Sequence, residues 1–340
     1  MTPGVSLEIL DLRHFTAPLL RPLLEIEGDL WHERLHWDYR TSTRLLMQYL
    51  DSRMLPGYAA VDGGRVTGYA FCVYEETKAV IGDVFAVPHE EMDRASLEYQ
   101  RPQTALEIET TLLRHIFETL QNSPHVDRIE SQLLLHPSGS HAAAFREAGF
   151  EIYRRLFMVQ SLAGVSRVAP FDLPPELEVR MWRDDDLNAA GRLISEAYAE
   201  HPDSVINDQY RSPHGSLRFL HNIVRYSGCG TFAPQVSHIV LDRATREIVA
   251  LVLGSRVSNA SGHITQLCVR PQYRRRGLGR MLLAIAAAGF LRQGMNEVSL
   301  TVTEANARAI ELYQGEGFEC RHTFDAAVWR RESARYAPQG

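Results

Sequence analysis

The sequence has few cysteines and no long apolar run. Its 340 residues include four cysteines, at positions 72, 229, 268 and 320, and no two of them form a Cys-x-x-Cys pair. This spacing excludes a disulfide-rich scaffold and a cysteine zinc site, and it favours a reduced protein. The most apolar stretch, Met281 to Leu291, is too short to cross a bilayer and indicates a buried helix.

The N-terminus shows neither the basic start nor the apolar core of a signal peptide, so we expect a cytoplasmic protein without a membrane partner. Charge is nearly balanced: 36 Lys and Arg face 42 Asp and Glu, a net charge of −6. Such a chain is a poor candidate for binding nucleic acid over its whole surface, although it can hold a local basic pocket for a phosphorylated small molecule. With 45% hydrophobic and 23% charged residues, the composition is that of a soluble globular protein.

An internal repeat divides the sequence into two halves. Residues 57–73 and 237–253 each have the pattern of a strand, a tight turn and a second strand. A third strand follows in each half and ends at a proline, and a later helix ends with Gly-Phe. These paired positions are Pro88 with Pro271 and Phe150 with Phe318.

The spacing of these paired positions predicts an insertion in the first half. The prolines are 183 residues apart and the phenylalanines 168, so the first half carries about 15 extra residues after its proline. We place them in the polar stretch 89–103. Between the halves, the proline-rich stretch 167–175 indicates a stiff connector. We therefore expect domains at 1–165 and 177–331, a linker at 166–176 and a flexible tail at 332–340.

The second half contains a glycine turn between a strand and an apolar helix. The turn reads Pro271-Gln-Tyr-Arg-Arg-Arg-Gly-Leu-Gly-Arg280. A helix N-terminus offers unpaired N–H groups and partial positive charge, and Gly277 and Gly279 let an anion approach the backbone closely. A Walker phosphate loop is absent, and a dinucleotide fingerprint fails at its third glycine, which is Leu282 here. An arginine triplet by itself is also typical of a solvated or nucleic-acid-binding face.

The segment Arg274 to Gly279 resembles the Arg/Gln-x-x-Gly-x-Gly/Ala motif of the GNAT N-acetyltransferase superfamily. The lead-in Val269 to Tyr273 and the later Asn306 to Phe318 fit as well, so the resemblance covers about 177–330 in the right order. It implies an α/β (α+β) fold with two GNAT-like domains, each a mixed, largely antiparallel central sheet flanked by helices. It also implies acetyl-CoA as co-substrate, with no metal.

By the same resemblance, backbone amides of residues 275–280 would hold the pyrophosphate, and the strand edge 267–269 and Asn306 would contact the pantetheine arm. The expected cofactor-binding residues are Leu267, Cys268, Val269, Arg274, Arg275, Arg276, Gly277, Leu278, Gly279, Arg280 and Asn306.

Acetyl transfer to an amine requires a neutral nucleophile, and a proton donor helps the thiolate to leave. Asn306, Ala309 and Tyr313 lie on one face of a predicted helix, and Tyr313 is the candidate acid, with core packing as the alternative. His263 is the candidate base, because its ordinary pKa lies near neutrality. A histidine bonded to solvent, with a water relay as base, is the alternative.

Two further groups of residues leave alternatives open. Cys268 lies in an apolar strand, so a buried structural thiol is favoured over an acyl-enzyme nucleophile. Several polar residues before the second hairpin are candidates for the acceptor pocket, although the sequence does not rank them. They are His201, Asp208 and Tyr210.

The first half lacks the glycine turn. Three acidic residues, Glu90, Glu91 and Asp93, would repel a pyrophosphate there. The offset of 168 places Phe145 opposite Tyr313 and Ser138 opposite Asn306, so the acid hydroxyl is missing. We expect a degenerate copy that shapes the acceptor cleft or buries an interface.

His32 and His36 are spaced as neighbours on one helix face, but a metal site would need a third ligand that the sequence does not identify. The leading function is an acetyl-CoA-dependent N-acetyltransferase, in which the C-terminal domain acts on an amine of a small molecule or peptide. The alternative is a non-catalytic acyl-CoA-binding sensor. Nucleic-acid binding through the arginine triplet is a third possibility, which we do not expect.

Overall fold

The computed structural model describes residues 7–89, 103–164, 172–226 and 230–331. The strands in chain order are β1 (Glu8–Asp11), β2 (Gly57–Asp62), β3 (Arg65–Glu75), β4 (Lys78–Ala86), β5 (Arg128–Gln132), β6 (Glu151–Ser161), β7 (Leu177–Met181), β8 (Thr231–Phe232), β9 (His238–Asp242), β10 (Ile248–Arg256), β11 (Ser261–Val269), β12 (Glu297–Thr303) and β13 (Glu319–Arg330). The α-helices are α1 (Ala17–Leu35), α2 (Arg40–Asp51), α3 (Gln103–Asn122), α4 (Ala142–Glu147), α5 (Leu187–Tyr198), α6 (Asp203–Ile206), α7 (Pro213–Arg225), α8 (Leu278–Arg292) and α9 (Ala307–Gly315). Short 3₁₀ turns occupy Leu12–His14, Asp184–Asp186, Asp208–Arg211 and Pro271–Tyr273. None of these helices combines the length and the apolar character needed to cross a bilayer.

The chain divides into two compact units. Unit 1 consists of the described parts of residues 1–35, 39–154 and 324–340, and unit 2 of those of 36–38 and 155–323. In unit 1 the strands lie in the order β1-β2-β3-β4-β5-β13, and all neighbours are antiparallel except β4 and β5. In unit 2 the order is β7-β9-β10-β11-β12-β6, with β11 and β12 as the parallel pair. The expected mixed, largely antiparallel sheet is confirmed.

The two units share the same strand pairing, and corresponding strands have a bulge at corresponding positions. Residues 78–81 pair in parallel with 128–131, and 261–264 pair with 297–300, so the first strands are 183 residues apart as predicted and the second strands 169, one more than the predicted 168. Each of the two corresponding strands has one bulged residue without a partner on its antiparallel neighbour: Gly82 in β4 opposite β3, and Thr265 in β11 opposite β10. Gly149 and Gly317 both have positive φ, so the helices α4 and α9 each end in a turn of the same type.

The last strand of each half completes the sheet of the other unit. Residues 155–161 of β6 belong to unit 2 and pair with β12, while residues 326–330 of β13 belong to unit 1 and pair with β5. This division differs from the expected boundary at 166–176. The reason is that hydrogen-bond partners at a sheet edge need not be neighbours in the chain, so a proline-rich connector does not show which unit a strand joins.

Each unit has its own apolar core between sheet and helices. In unit 1, α3 contributes Leu112, Leu113 and Ile116 to the core, and in unit 2, α8 contributes Leu282 and Phe290. Two strand positions facing α8 are glycines: a Cβ at Gly254 or Gly262 would lie within 2.7 Å of the Phe290 ring. The absence of side chains there lets α8 pack closely on the sheet that carries the cavity.

Several expectations fall on the acidic and proline-rich stretches outside the described residues. The insertion predicted within 89–103 lies almost wholly in residues 90–102, which the structure does not describe. The same holds for Glu90, Glu91 and Asp93. The expected shared helix face of His32 and His36 is wrong, because α1 ends at Leu35 and His36 adopts a positive φ of 54° outside the helix.

Candidate functional site

A cleft opens in unit 2 where two parallel strands separate. β11 and β12 are paired only from Ser261 to Ile264 on the β11 side, whereas β11 remains paired with β10 as far as Val269. The bulge at Thr265 falls at this point, and its hydroxyl donates to the carbonyl of Leu253 at 3.2 Å. A bulge bends its strand, so the C-terminal half of β11 separates from β12. A cavity of about 630 Å³ lies there.

The glycine turn forms one end of this cavity. Gly277 precedes the first residue of α8 with φ +76°, and Arg275 is also left-handed at +63°. A Cβ at Gly277 would meet no atom within 4 Å, so the space beside this backbone is open. Left-handed residues in a turn direct successive N–H groups into one concavity, next to the free N–H groups at the start of α8. This is the backbone geometry that an anion site requires, and anion binding at the turn stays a prediction.

The four arginines around the turn make different contacts, and three of them line the cavity. Arg274 donates to the carbonyls of Ala197 at 2.9 Å and Val269 at 3.2 Å, so it holds the turn against the sheet. The Nε of Arg280 lies 2.7 Å from Glu316 Oε1. Both side chains line the cavity together with Arg275. Arg276 does not line it: its guanidinium lies over the Tyr273 ring and 3.5 Å from Glu176.

The strand edge and the start of α8 form part of the cavity wall. Leu267, Cys268 and Val269 line the cavity, and so do Leu278 and Gly279 at the start of α8. Cys268 is 6% exposed, and burial raises the pKa of its thiol well above the usual range. A thiol that stays protonated is a poor nucleophile, in agreement with the structural role favoured from sequence.

Asn306 and Tyr313 both line the cavity from α9. Asn306 caps this helix, because its Oδ1 accepts from the backbone N–H of Ala309 at 3.2 Å. The ring of Tyr313 packs against Phe318 at 5.9 Å between centroids. Burial raises the pKa of the Tyr313 hydroxyl, and the Asp203 carboxylate raises it further. The hydroxyl therefore stays protonated at neutral pH.

His263 does not reach the cavity. Its ring is 7% exposed, lies 5.0 Å from the ring of Trp37 and stacks on Phe157. The Ser299 hydroxyl donates to the carbonyl of Gly262, so the 2.9 Å contact between Ser299 Oγ and His263 Nδ1 is a bond donated by the histidine. Burial, with the charge of Arg155, lowers the pKa of His263 to about 3. The cavity begins one residue later, at Ile264, so the structure gives no support to His263 as the base.

A different histidine lies in the cavity. His201 Nε2 is 3.0 Å from the amide nitrogen of Asn306, and its Nδ1 accepts from the backbone N–H of Asp203 at 3.1 Å. Its ring and that of Tyr198 make an edge-to-face contact, with 4.9 Å between the ring centroids. Burial lowers the pKa of His201 below its ordinary value, so the ring is neutral at pH 7.

Of the three polar residues that the sequence leaves unranked for the acceptor pocket, His201 and Tyr210 line the cavity and Asp208 does not. Arg155 also lines it, from β6, and its Nη2 lies 3.4 Å from Thr301 Oγ1. Nothing in the local sequence signals Arg155, because it lies in the first half of the sequence, before the proline-rich stretch. It belongs to unit 2 because β6, the last strand of the first half, pairs with β12.

Residues 199–318 match the model of the acetyltransferase (GNAT) family. This part of the chain is a GNAT acetyltransferase domain. A mycothiol acetyltransferase from Geodermatophilus obscurus is 30% identical over 185 residues, which is 54% of this chain and 57% of that protein. The match thus spans little more than half the length of this curated relative.

Solved structures share the GNAT fold over nearly the whole chain. A GCN5-related N-acetyltransferase from Sphaerobacter thermophilus superposes with a TM-score of 0.59 at 16% identity, over 97% of both chains. A tandem GNAT protein from the clavulanic acid biosynthesis pathway superposes with a TM-score of 0.58 at 15% identity, over 98% of this chain and 100% of its own. At these identities the likeness concerns the fold, and it confirms two GNAT-like domains.

Proposed function

We propose that unit 2 transfers the acetyl group of acetyl-CoA directly to an amine of a small molecule or peptide. The observation that carries this proposal is a single cavity in which the glycine turn, the free edge of β11, Tyr313 and His201 meet. Family membership supports acetyl transfer in general. The acceptor class and the roles of individual residues are our inference from the cavity.

The residues at the glycine turn fit the diphosphate of acetyl-CoA. The open space beside Gly277 admits an anion to the backbone, and Arg275 and Arg280 supply positive charge. The separated edge of β11 at residues 267–269 offers backbone groups to the amides of the pantetheine arm. When bound, acetyl-CoA supplies an acetyl group activated as a thioester.

Two side chains handle protons in the proposed reaction. An amine attacks only when it is neutral, and His201, itself neutral at pH 7, accepts its proton. The Tyr313 hydroxyl, held protonated, donates a proton to the departing thiolate. Asp203 lies at the same cavity, and an acidic group there favours an acceptor that arrives as an ammonium ion. Since Cys268 stays protonated, no step passes through an acyl-enzyme.

The test is thiol release from acetyl-CoA with a panel of primary amines, alongside calorimetry of cofactor binding. We expect Tyr313→Phe to lower kcat by about 10- to 1000-fold and to leave the dissociation constant for acetyl-CoA within about threefold, since the phenyl ring preserves the packing. Tyr226→Phe is the matched control, because Tyr226 is 67% exposed and does not line the cavity. If acetyl-CoA binds but no amine releases thiol, the protein is an acyl-CoA sensor instead.

A further inference from the structure

Unit 1 contains a buried cluster of one carboxylate and two imidazoles. Glu109 lies on α3, His136 follows β5, and His141 immediately precedes α4. Their exposures are 0%, 3% and 5%. Among the described residues, they are the group of histidine, cysteine and carboxylate side chains placed to share a metal ion. The cluster lies outside the cavity of unit 2, and the proposed acetyl transfer does not use it.

The three facing atoms form a triangle of the size that a bound ion requires. His136 Nδ1 lies 3.0 Å from His141 Nε2, His141 Nε2 lies 3.3 Å from Glu109 Oε2, and His136 Nδ1 lies 3.7 Å from Glu109 Oε2. Nitrogen and oxygen ligands bind Zn²⁺ at about 2.0–2.2 Å, so ligands of a tetrahedral ion are separated by roughly 3.3–3.6 Å. The observed separations scatter around that range.

Surrounding groups orient two of the three ligands toward the centre of the triangle. His136 Nε2 lies 2.8 Å from the carbonyl of Val84, so it donates its N–H there and presents the lone pair of Nδ1 to the cluster. Metal-bound histidines commonly donate their second ring N–H to a backbone carbonyl in this way. Glu109 Oε1 accepts from the backbone N–H of Ala86 at 3.1 Å, and this bond holds Oε2 toward both imidazoles.

Glu109 is fully buried beside the apolar core of unit 1. The side chain is inaccessible to solvent, and its helix α3 packs the adjacent Leu112 and Leu113 into the core. A carboxylate removed from water is costly unless it is paired or coordinates a metal. Two imidazoles and one carboxylate are a ligand set for a divalent transition ion such as Zn²⁺.

The repeat relates this cluster to the cofactor cleft of unit 2. Offsets of 183 and 168 place Ala86 opposite Val269, and His141 opposite Ala309, which lines the cavity. In unit 1 the backbone N–H of Ala86 is taken by the Glu109 carboxylate. We propose that the degenerate cleft of unit 1 holds a divalent transition-metal ion on Glu109, His136 and His141, which ties α3 to the segment between β5 and α4.

The experiment uses the full chain, purified without a metal-affinity step, stripped with chelator and titrated with Zn²⁺ in competition with a chromophoric chelator. We expect one equivalent of zinc per chain, with a melting temperature raised by zinc and lowered by chelator. Glu109→Gln and His141→Gln should each weaken zinc binding by at least 100-fold. His115→Gln on the same helix, where His115 contacts the carbonyl of Thr111, should leave it unchanged.

A second variant keeps the test decisive if the glutamine substitutions impair folding. His141→Cys replaces one ligand by another that zinc accepts, so it should bind zinc where His141→Gln does not. Substitution with Co²⁺ should give the visible absorption of a tetrahedral site. Absence of stoichiometric zinc from the wild type, or equal zinc affinity in Glu109→Gln and the wild type, would overturn the proposal and leave a hydrogen-bonded network that shares protons.

Discussion

The side-chain amide nitrogen of Asn306 lies 3.0 Å from Nε2 of His201. The same side chain caps α9 through Ala309, so the residue that begins the helix of Tyr313 also positions the imidazole before α6. Since Nδ1 of His201 accepts from the backbone N–H of Asp203, the proton of the neutral ring lies on Nε2, the nitrogen that faces the Asn306 amide. Asn306 therefore contacts the proposed base and begins the helix that carries the proposed acid.

The first prediction concerns the acid side of the pH profile. Burial lowers the pKa of His201 from its ordinary 6.5, so the imidazole becomes protonated only at a pH below 6.5. Because the protonated imidazole cannot act as a base, we expect kcat/KM to fall on the acid side only below pH 6.5. His201→Gln should lower kcat by about 10- to 1000-fold and remove this acid limb. Steady-state rates from pH 5 to 9 with a fixed amine measure both effects.

His263→Gln serves as the control for that profile, because His263 lies outside the cavity. Its rates should keep the wild-type acid limb. If His263→Gln removes the limb and His201→Gln preserves it, the assignment of the base is reversed.

The second prediction concerns stability. The pKa of His263 is about 3 in the folded protein and near 6.5 in the unfolded chain, so only the unfolded state gains this proton as the pH falls through 6.5. The stability contribution is therefore complete above pH 6.5 and is lost progressively toward pH 3. Between pH 7.5 and 5 the loss is about 2 kcal/mol for one such group.

Urea unfolding of the wild type and His263→Gln at both pH values isolates this contribution, since the other histidines are common to the two proteins. The variant is expected to be less stable at pH 7.5 and to lose less stability on acidification. An identical pH dependence of the unfolding free energy in the two proteins would show that His263 is not buried neutral.

The third prediction concerns the thiol in the cavity wall. Cys268→Ala should retain kcat within about threefold, because the thiol is held protonated and takes no part in the transfer. Mass spectrometry after mixing with acetyl-CoA alone should find no acetylated enzyme. A stable acetyl adduct on Cys268, or loss of all turnover in a folded Cys268→Ala protein, would establish an acyl-enzyme route instead.

The sequence predicts the parts of the site that depend on neighbours along the chain. The glycine turn, the strand before it and the capped helix of Tyr313 are local features, and each has a physical signal in residue type and spacing. The repeat offsets place corresponding strands of the two units within one residue of each other, because insertions fall between elements.

What the sequence could not predict depends on long-range placement. Arg155 lines the cavity because β6 of the first half pairs with β12 of the second half, and local composition does not indicate this pairing. His263 and His201 are equally plausible bases by residue type, and only the bulge at Thr265 and the contact with Asn306 distinguish them. The cluster of Glu109 with His136 and His141 is scattered over three elements, so no ligand spacing reveals it.

The most direct test of the account is calorimetry of acetyl-CoA with the wild type, Gly277→Glu and Gly294→Glu. Both glycines have positive φ, +76° and +80°, and open space around a Cβ, but only Gly277 lines the cavity. We predict binding to the wild type and to Gly294→Glu with equal affinity, and at least 100-fold weaker binding to Gly277→Glu. The absence of binding heat in the wild type, or equal affinity in both variants, would contradict a cofactor site at the glycine turn.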